Sequence, residues 1–176
     1  MASKVGIKGV RKITAADELA ITKTLHKRAT KLWRDATKAA LRAVVESDLP
    51  TVYTGMSRGS LLPLARAVRM FTVVNSTINP VVDYKKGPQG DQSKAAGIAF
   101  GQNAYILDFG TPQLPVFRFE FDIAIYQYLL HENGGGTVPA WNTLEILRET
   151  FLAYVRDNVA AVIPDYGRWL VTGRIQ

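Results

Sequence analysis

The longest regular pattern in the chain lies between residues 14 and 47. Ile21, Leu25, Ala29, Leu32, Ala36, Ala40 and Val44 recur at steps of three and four, the spacing that gathers apolar side chains on one face of an α-helix. Thr14 stands three residues before Asp17, with Glu18 beside it. That spacing predicts a variant of the capping box, and both acids suit the positive end of the helix dipole. Asp48, Leu49 and Pro50 stop the run, because the residue before a proline is driven out of helical geometry. A second helical pattern, carried by Leu144, Leu147, Phe151, Tyr154, Val155 and Val159, ends at Pro164. Asn142 with Glu145 predicts a capping box at its start, and Trp141 with Ile146 a hydrophobic staple.

Between these helices the period changes. Phe117, Phe119, Phe121, Ile123 and Ile125 alternate with Arg118, Glu120, Asp122 and Ala124, which predicts a strand with one face on a core and the other towards solvent or a partner. Shorter strands are predicted over residues 69–75, 81–82, 95–100 and 104–109, from their β-branched and aromatic content. Ser60–Arg66 reads as a short helical turn interrupted by Pro63, Lys85–Ser93 as a polar loop, and Gly110, Thr111 and Pro112 as a break. Strands bracketed by two helices, without alternation of strand and helix, predict an α+β fold: a mostly antiparallel sheet flanked by two long helices. The expected organisation is a basic arm over residues 1–13, one domain over 14–163 and a C-terminal arm over 164–176.

Charge sharpens this outline. The 176 residues carry a formal net charge of +7, with a pI near 9.7, which favours acidic partners such as nucleic acid or an acidic protein surface. Lys4, Lys8, Arg11 and Lys12 make the N-terminal arm basic. On the first helix, Lys23, Lys27, Lys31, Arg34, Lys38 and Arg42 step by three or four, so they fall within roughly 100° of arc, opposite the apolar face. Such a stripe is either a solvated face or a contact with DNA phosphates or an acidic neighbouring subunit. Like charges at i,i+4 destabilise a helix, and that cost favours a partner. Trp169, Leu170 and Val171 in the tail are too apolar for a solvated segment and predict docking on the protein's own domain or on a neighbouring subunit.

Several chemistries find no support. There is no cysteine, so neither disulfide nor thiolate chemistry is available. The N-terminal residues lack the apolar run of a secretory signal, and no stretch approaches 18 apolar residues, so no membrane partner is expected. His131-Glu132 is followed by three glycines and not by a second histidine four residues on, which excludes a zinc-protease helix. The glycine run lacks the Gly-Lys-Ser/Thr ending of a phosphate-binding loop, and Ser60 lacks glycines in the pattern a nucleophile elbow requires. Glu120 and Asp122 share a strand face and are the residues a magnesium-dependent nuclease would use; Arg118 beside them favours a surface charge cluster. No enzyme activity, cofactor or metal is expected.

Thr54, Gly55, Arg58 and Ser60 form a Thr-Gly-x-x-Arg-x-Ser segment directly after the first helix. Further on, Tyr128, Glu132 and Gly134 precede Pro139 and the closing helix. In this order, over about residues 15–163, the chain resembles the neck, or tail-completion, proteins of long-tailed bacteriophages, in which such a turn joins the first helix to the sheet. The resemblance implies a structural virion protein at the head–tail junction, made in the host cytoplasm. Its partners would be copies of itself in a hexameric or dodecameric ring, a portal-side connector protein, the tail terminator or tail tube protein, and DNA passing through the lumen. An adaptor or terminator position in the same particle is the near alternative. A sequence-independent nucleic-acid-binding protein is the alternative from another class. The Thr54–Ser60 turn is expected to be structural, with Gly55 at positive φ.

Overall fold

The computed structural model describes residues 13–46, 56–70, 88–122 and 142–163, and the statements below concern these. Helix α1 spans Ala15–Glu46, α2 Met56–Ala67, α3 Pro88–Gly101 and α4 Thr143–Asn158. Strands β1 (Tyr105–Asp108) and β2 (Arg118–Phe121) lie between α3 and α4, and a 3₁₀ turn at Val159–Val162 follows α4. The sheet-dominated α+β fold predicted from the sequence is therefore not observed. Among the described residues, helices make up most of the structure and the sheet has two strands.

The start of α1 follows its sequence signature. The Thr14 backbone N–H donates to Asp17 Oδ2 at 2.9 Å, the Thr14 hydroxyl donates to the same oxygen at 2.7 Å, and the Asp17 N–H donates back to Thr14 Oγ1 at 3.3 Å. Two backbone donors that the helix leaves unpaired are thus satisfied reciprocally. The apolar face deepens along the helix. Ile21, Leu25 and Ala29 are half-buried, whereas Leu32, Ala36, Ala40, Leu41 and Val44 are buried.

Helix α2 contains the proline that the sequence marks as an interruption. Pro63 has no N–H to give the Gly59 carbonyl, an absence that ordinarily costs about 3 kcal/mol in a helix interior. Burial of Leu61, Leu62, Leu64, Ala65 and Val68 around it offsets that cost. The helix closes at Arg69, whose φ is +64°. There the Arg69 N–H donates to the Arg66 carbonyl at 3.0 Å and the Met70 N–H to the Ala65 carbonyl at 2.9 Å. This pair of bonds is a Schellman motif, and Met70, 5% exposed, anchors it in the core. Arg69 and Met70 thus end a helix where the sequence predicts a strand over 69–75; residues 71–75 and 81–82 lie outside the described residues.

The other departure is α3. Residues 95–100, predicted as a strand, and the 88–93 part of the predicted loop are helical. Gly97 and Gly101, four residues apart, are buried, and a Cβ at Gly101 would collide with the Ser60 backbone carbonyl. Helix α3 therefore packs on α2 with its backbone almost in contact at Gly101, a position without room for a side chain.

Strands β1 and β2 pair antiparallel, with Tyr105 opposite Phe121 and Leu107 opposite Phe119. The alternation predicted for this strand is observed over 117–121, where Phe117, Phe119 and Phe121 are half-buried and Arg118 and Glu120 exposed. Tyr105, Leu107, Phe119 and Phe121 pack against a single core contributed by α1, α2 and α4. Residues 123–125 lie outside the described residues. So does Trp141, and with it the predicted staple. The capping box predicted for α4 is not formed. Asn142 lies in the left-handed region at φ 50° and makes no side-chain cap bond; its carbonyl accepts the Ile146 N–H at 2.9 Å, the first bond of the helix. Asparagine tolerates that conformation better than most residues do.

Candidate partner-binding surface

The cationic stripe of α1 is the site most fully described. Lys23, Lys27, Lys31 and Arg42 are exposed, and Arg34 and Lys38 are half-buried. Helical spacing puts all of them on one side, but the fold groups them further. Lys27, Lys31, Arg34 and Lys38 line a groove of about 500 Å³ together with His26, Thr30, Asp35, Val68 and Arg69. Lys23 and Arg42 are on the same stripe beyond the groove. Arg69 comes from the close of α2 and has no signal in the sequence, because nothing in an arginine announces a left-handed cap.

Asp35 is the one carboxylate in the groove lining among the described residues. It accepts hydrogen bonds from Lys31 Nζ at 2.9 Å and Lys38 Nζ at 3.3 Å. Partial burial works to raise its pKa, but those hydrogen bonds and the two positive charges outweigh burial and hold the carboxyl below its ordinary value. The Asp35 hydrogen bond and charge raise the Lys31 pKa in turn. The Asp35–Lys31 pair is therefore fully ionised through neutral pH. Arg34 lies over the Phe109 ring, 4.9 Å from its centroid, and its Nε is buried without a hydrogen-bond partner among the described residues. His26 contacts the Phe109 carbonyl through Nε2 at 2.7 Å.

A second surface has the opposite character. Trp33, Phe117, Phe119, Phe121, Leu144, Leu147, Phe151 and Leu152 line a groove of about 450 Å³ between β2 and α4, with Arg118, Glu120 and Arg148 also in its lining. The rings of Trp33 and Phe151 meet edge to face at 5.1 Å, and Phe119 lies 5.1 Å from Phe151. Leu114 and Val116 in the hairpin loop are 68% and 49% exposed, and Val159 and Ile163 after α4 are 48% and 64% exposed.

The remaining sequence-predicted residues divide as follows. Arg58 and Ser60 fall within α2, so the described part of the predicted turn is helical and leads into a helix, not a sheet. Ser60 is buried at 2% exposure, against Gly101. Thr54, Gly55, Trp169, Leu170 and Val171 lie outside the described residues. The Glu120 carboxylate accepts a 2.6 Å hydrogen bond from Arg118 Nε in an exposed ion pair. No group of three or more potential metal ligands occurs among the described residues, and no helix among them is long and apolar enough to cross a membrane. No family profile, curated protein or solved structure matches the chain.

Proposed function

We propose that this protein is a structural subunit of a bacteriophage neck, acting by assembly into a ring that joins the DNA-filled head to the tail. Resemblance in the order of sequence features supports the reading, although the expected sheet-dominated fold does not. The observation that carries it furthest is that one small chain presents two unlike surfaces. A cationic groove runs along α1, an aromatic-lined groove lies between β2 and α4, and further apolar side chains are exposed in the hairpin loop and after α4. A subunit in a closed ring that also meets a head-side and a tail-side neighbour needs such unlike surfaces, because each contact is heterologous. Exposed apolar groups of this size are costly in water and gain from being covered. The portal-side connector and the tail terminator or tube protein are the expected neighbours.

Sedimentation velocity with electron microscopy of the purified chain, alone and with head- and tail-derived particles, tests the reading. Closed hexameric or dodecameric rings, or stable attachment at a head–tail junction, are expected. A chain that stays monomeric and attaches to neither particle defeats the proposal. Removing residues 165–176, which carry Trp169, Leu170 and Val171, is expected to leave a folded monomer and weaken ring formation.

A further inference from the structure

We propose that the groove along α1 binds the phosphate backbone of nucleic acid without regard to base sequence. This goes beyond the neck reading, since it is a property of one folded chain and does not depend on ring formation. Among the described residues, the groove lining sets Lys27, Lys31, Arg34, Lys38 and Arg69 against one carboxylate, Asp35, which is already taken by Lys31 and Lys38. Lys23 and Arg42 extend the cationic row beyond both ends of the groove, to about 28 Å along the helix axis at roughly 1.5 Å per residue. A continuous polyanion engages such a row along its length; a single small anion would occupy one point of it.

The residue types indicate how the ligand is read. Lysine predominates, and it meets phosphate as a point charge without a fixed planar geometry. Among the described residues no asparagine or glutamine lines the groove, so the amides that pair with adenine edges are missing from that part of the lining. Contacts of this kind position a duplex or single strand without specifying its sequence.

Two features of the groove carry a local cost within the isolated chain. Arg34 Nε is a buried donor without a partner among the described residues. Arg69 holds φ +64° at a helix-closing position, where a Cβ is disfavoured and glycine is the usual occupant. An arginine there supplies a cation to the groove from outside α1, which glycine would not. An acidic protein segment is the competing occupant, and it would have to array its carboxylates evenly along the same row.

Fluorescence anisotropy of a labelled duplex of arbitrary sequence, titrated with the full chain between about 50 and 200 mM salt, tests the inference. Binding is expected to weaken steeply, with log K against log salt falling at a slope of about −3 to −5. Lys27→Gln combined with Lys31→Gln should flatten that slope by about two, one for each phosphate left without its lysine. Arg69→Gly should weaken binding several-fold while the melting temperature holds or rises, which separates ligand binding from folding. Arg156→Gln, on the exposed side of α4, should leave binding unchanged.

Three results overturn the inference: no binding at the lowest salt, a slope unaltered by the lysine substitutions, or an oligoglutamate peptide that outcompetes the duplex at equal charge. Sedimentation of the same samples reports ring formation separately, so failure of one proposal is distinguishable from failure of the other.

Discussion

The contact between α2 and α3 and the contact between α1, β2 and α4 solve the packing problem in opposite ways. In the first, the backbones come almost into contact at one glycine. Gly101 lies so close to the Ser60 carbonyl that even a methyl group would collide. In the second, Trp33, Phe117, Phe119 and Phe151 meet at ring-centroid distances of 5.1 to 5.4 Å and leave an open groove beside them. The first region has no room to add atoms, and the second depends on large groups that it cannot do without. A protein interior can thus be intolerant in two senses, and substitutions tell them apart.

The largest effect is expected from removing an aromatic ring. Phe151 is 6% exposed and touches both Trp33 and Phe119, so Phe151→Ala should destabilise the protein by about 3–5 kcal/mol in denaturant unfolding. A change below about 1 kcal/mol would mean that the groove beside it collapses freely. Next is Gly101→Ala, expected to cost about 1–3 kcal/mol through overpacking, although glycine to alanine within a helix ordinarily stabilises by roughly 0.5–1 kcal/mol. A gain in stability would show that α2 and α3 can separate, and would erase the contrast. Trp33→Phe is a gentler probe. The indole N–H is buried without a partner among the described residues, so removing it offsets part of the reduction in ring area, and the net change should stay within about 1.5 kcal/mol.

The smallest effect is expected from Asp35→Asn. Asp35 lines a small cleft with Tyr154 and Asn158 of α4 as well as the cationic groove. Its carboxyl is held below the ordinary value of 3.8, so its contribution is complete above the unfolded pKa and disappears as pH falls through the folded one. Wild type should exceed the variant by less than about 1 kcal/mol near neutral pH, and the gap should close below about pH 4. A gap that widens on acidification would contradict the assigned direction.

These contrasts also explain what the sequence makes legible. Helix α1 is plain because its apolar steps persist from Ile21 to Val44 and its Thr14–Asp17 cap is local. The β1–β2 hairpin is plain because charged and aromatic residues alternate strictly over 117–121. Helix α3 is hidden, since Ala95 to Phe100 contains no polar residue to set a period and its tightest contact with α2 is made by a glycine, Gly101. Asn142 is misleading because the same residue type caps through its side chain or enters the left-handed region, and the choice depends on tertiary context. For the cationic groove, the lysines on one helix are readable from their spacing, whereas Arg69 joins them only because α2 ends beside α1.

Phe109 has a further mechanical consequence. It sits at the root of the loop between β1 and β2, and α1 grips it at two points. His26 holds its carbonyl, and Arg34 rests on its ring. Those two residues also line the cationic groove. Phe109 therefore ties the loop that carries the exposed Leu114 to two side chains of the charged face, and the β1–β2 connection and α1 share a single anchoring residue.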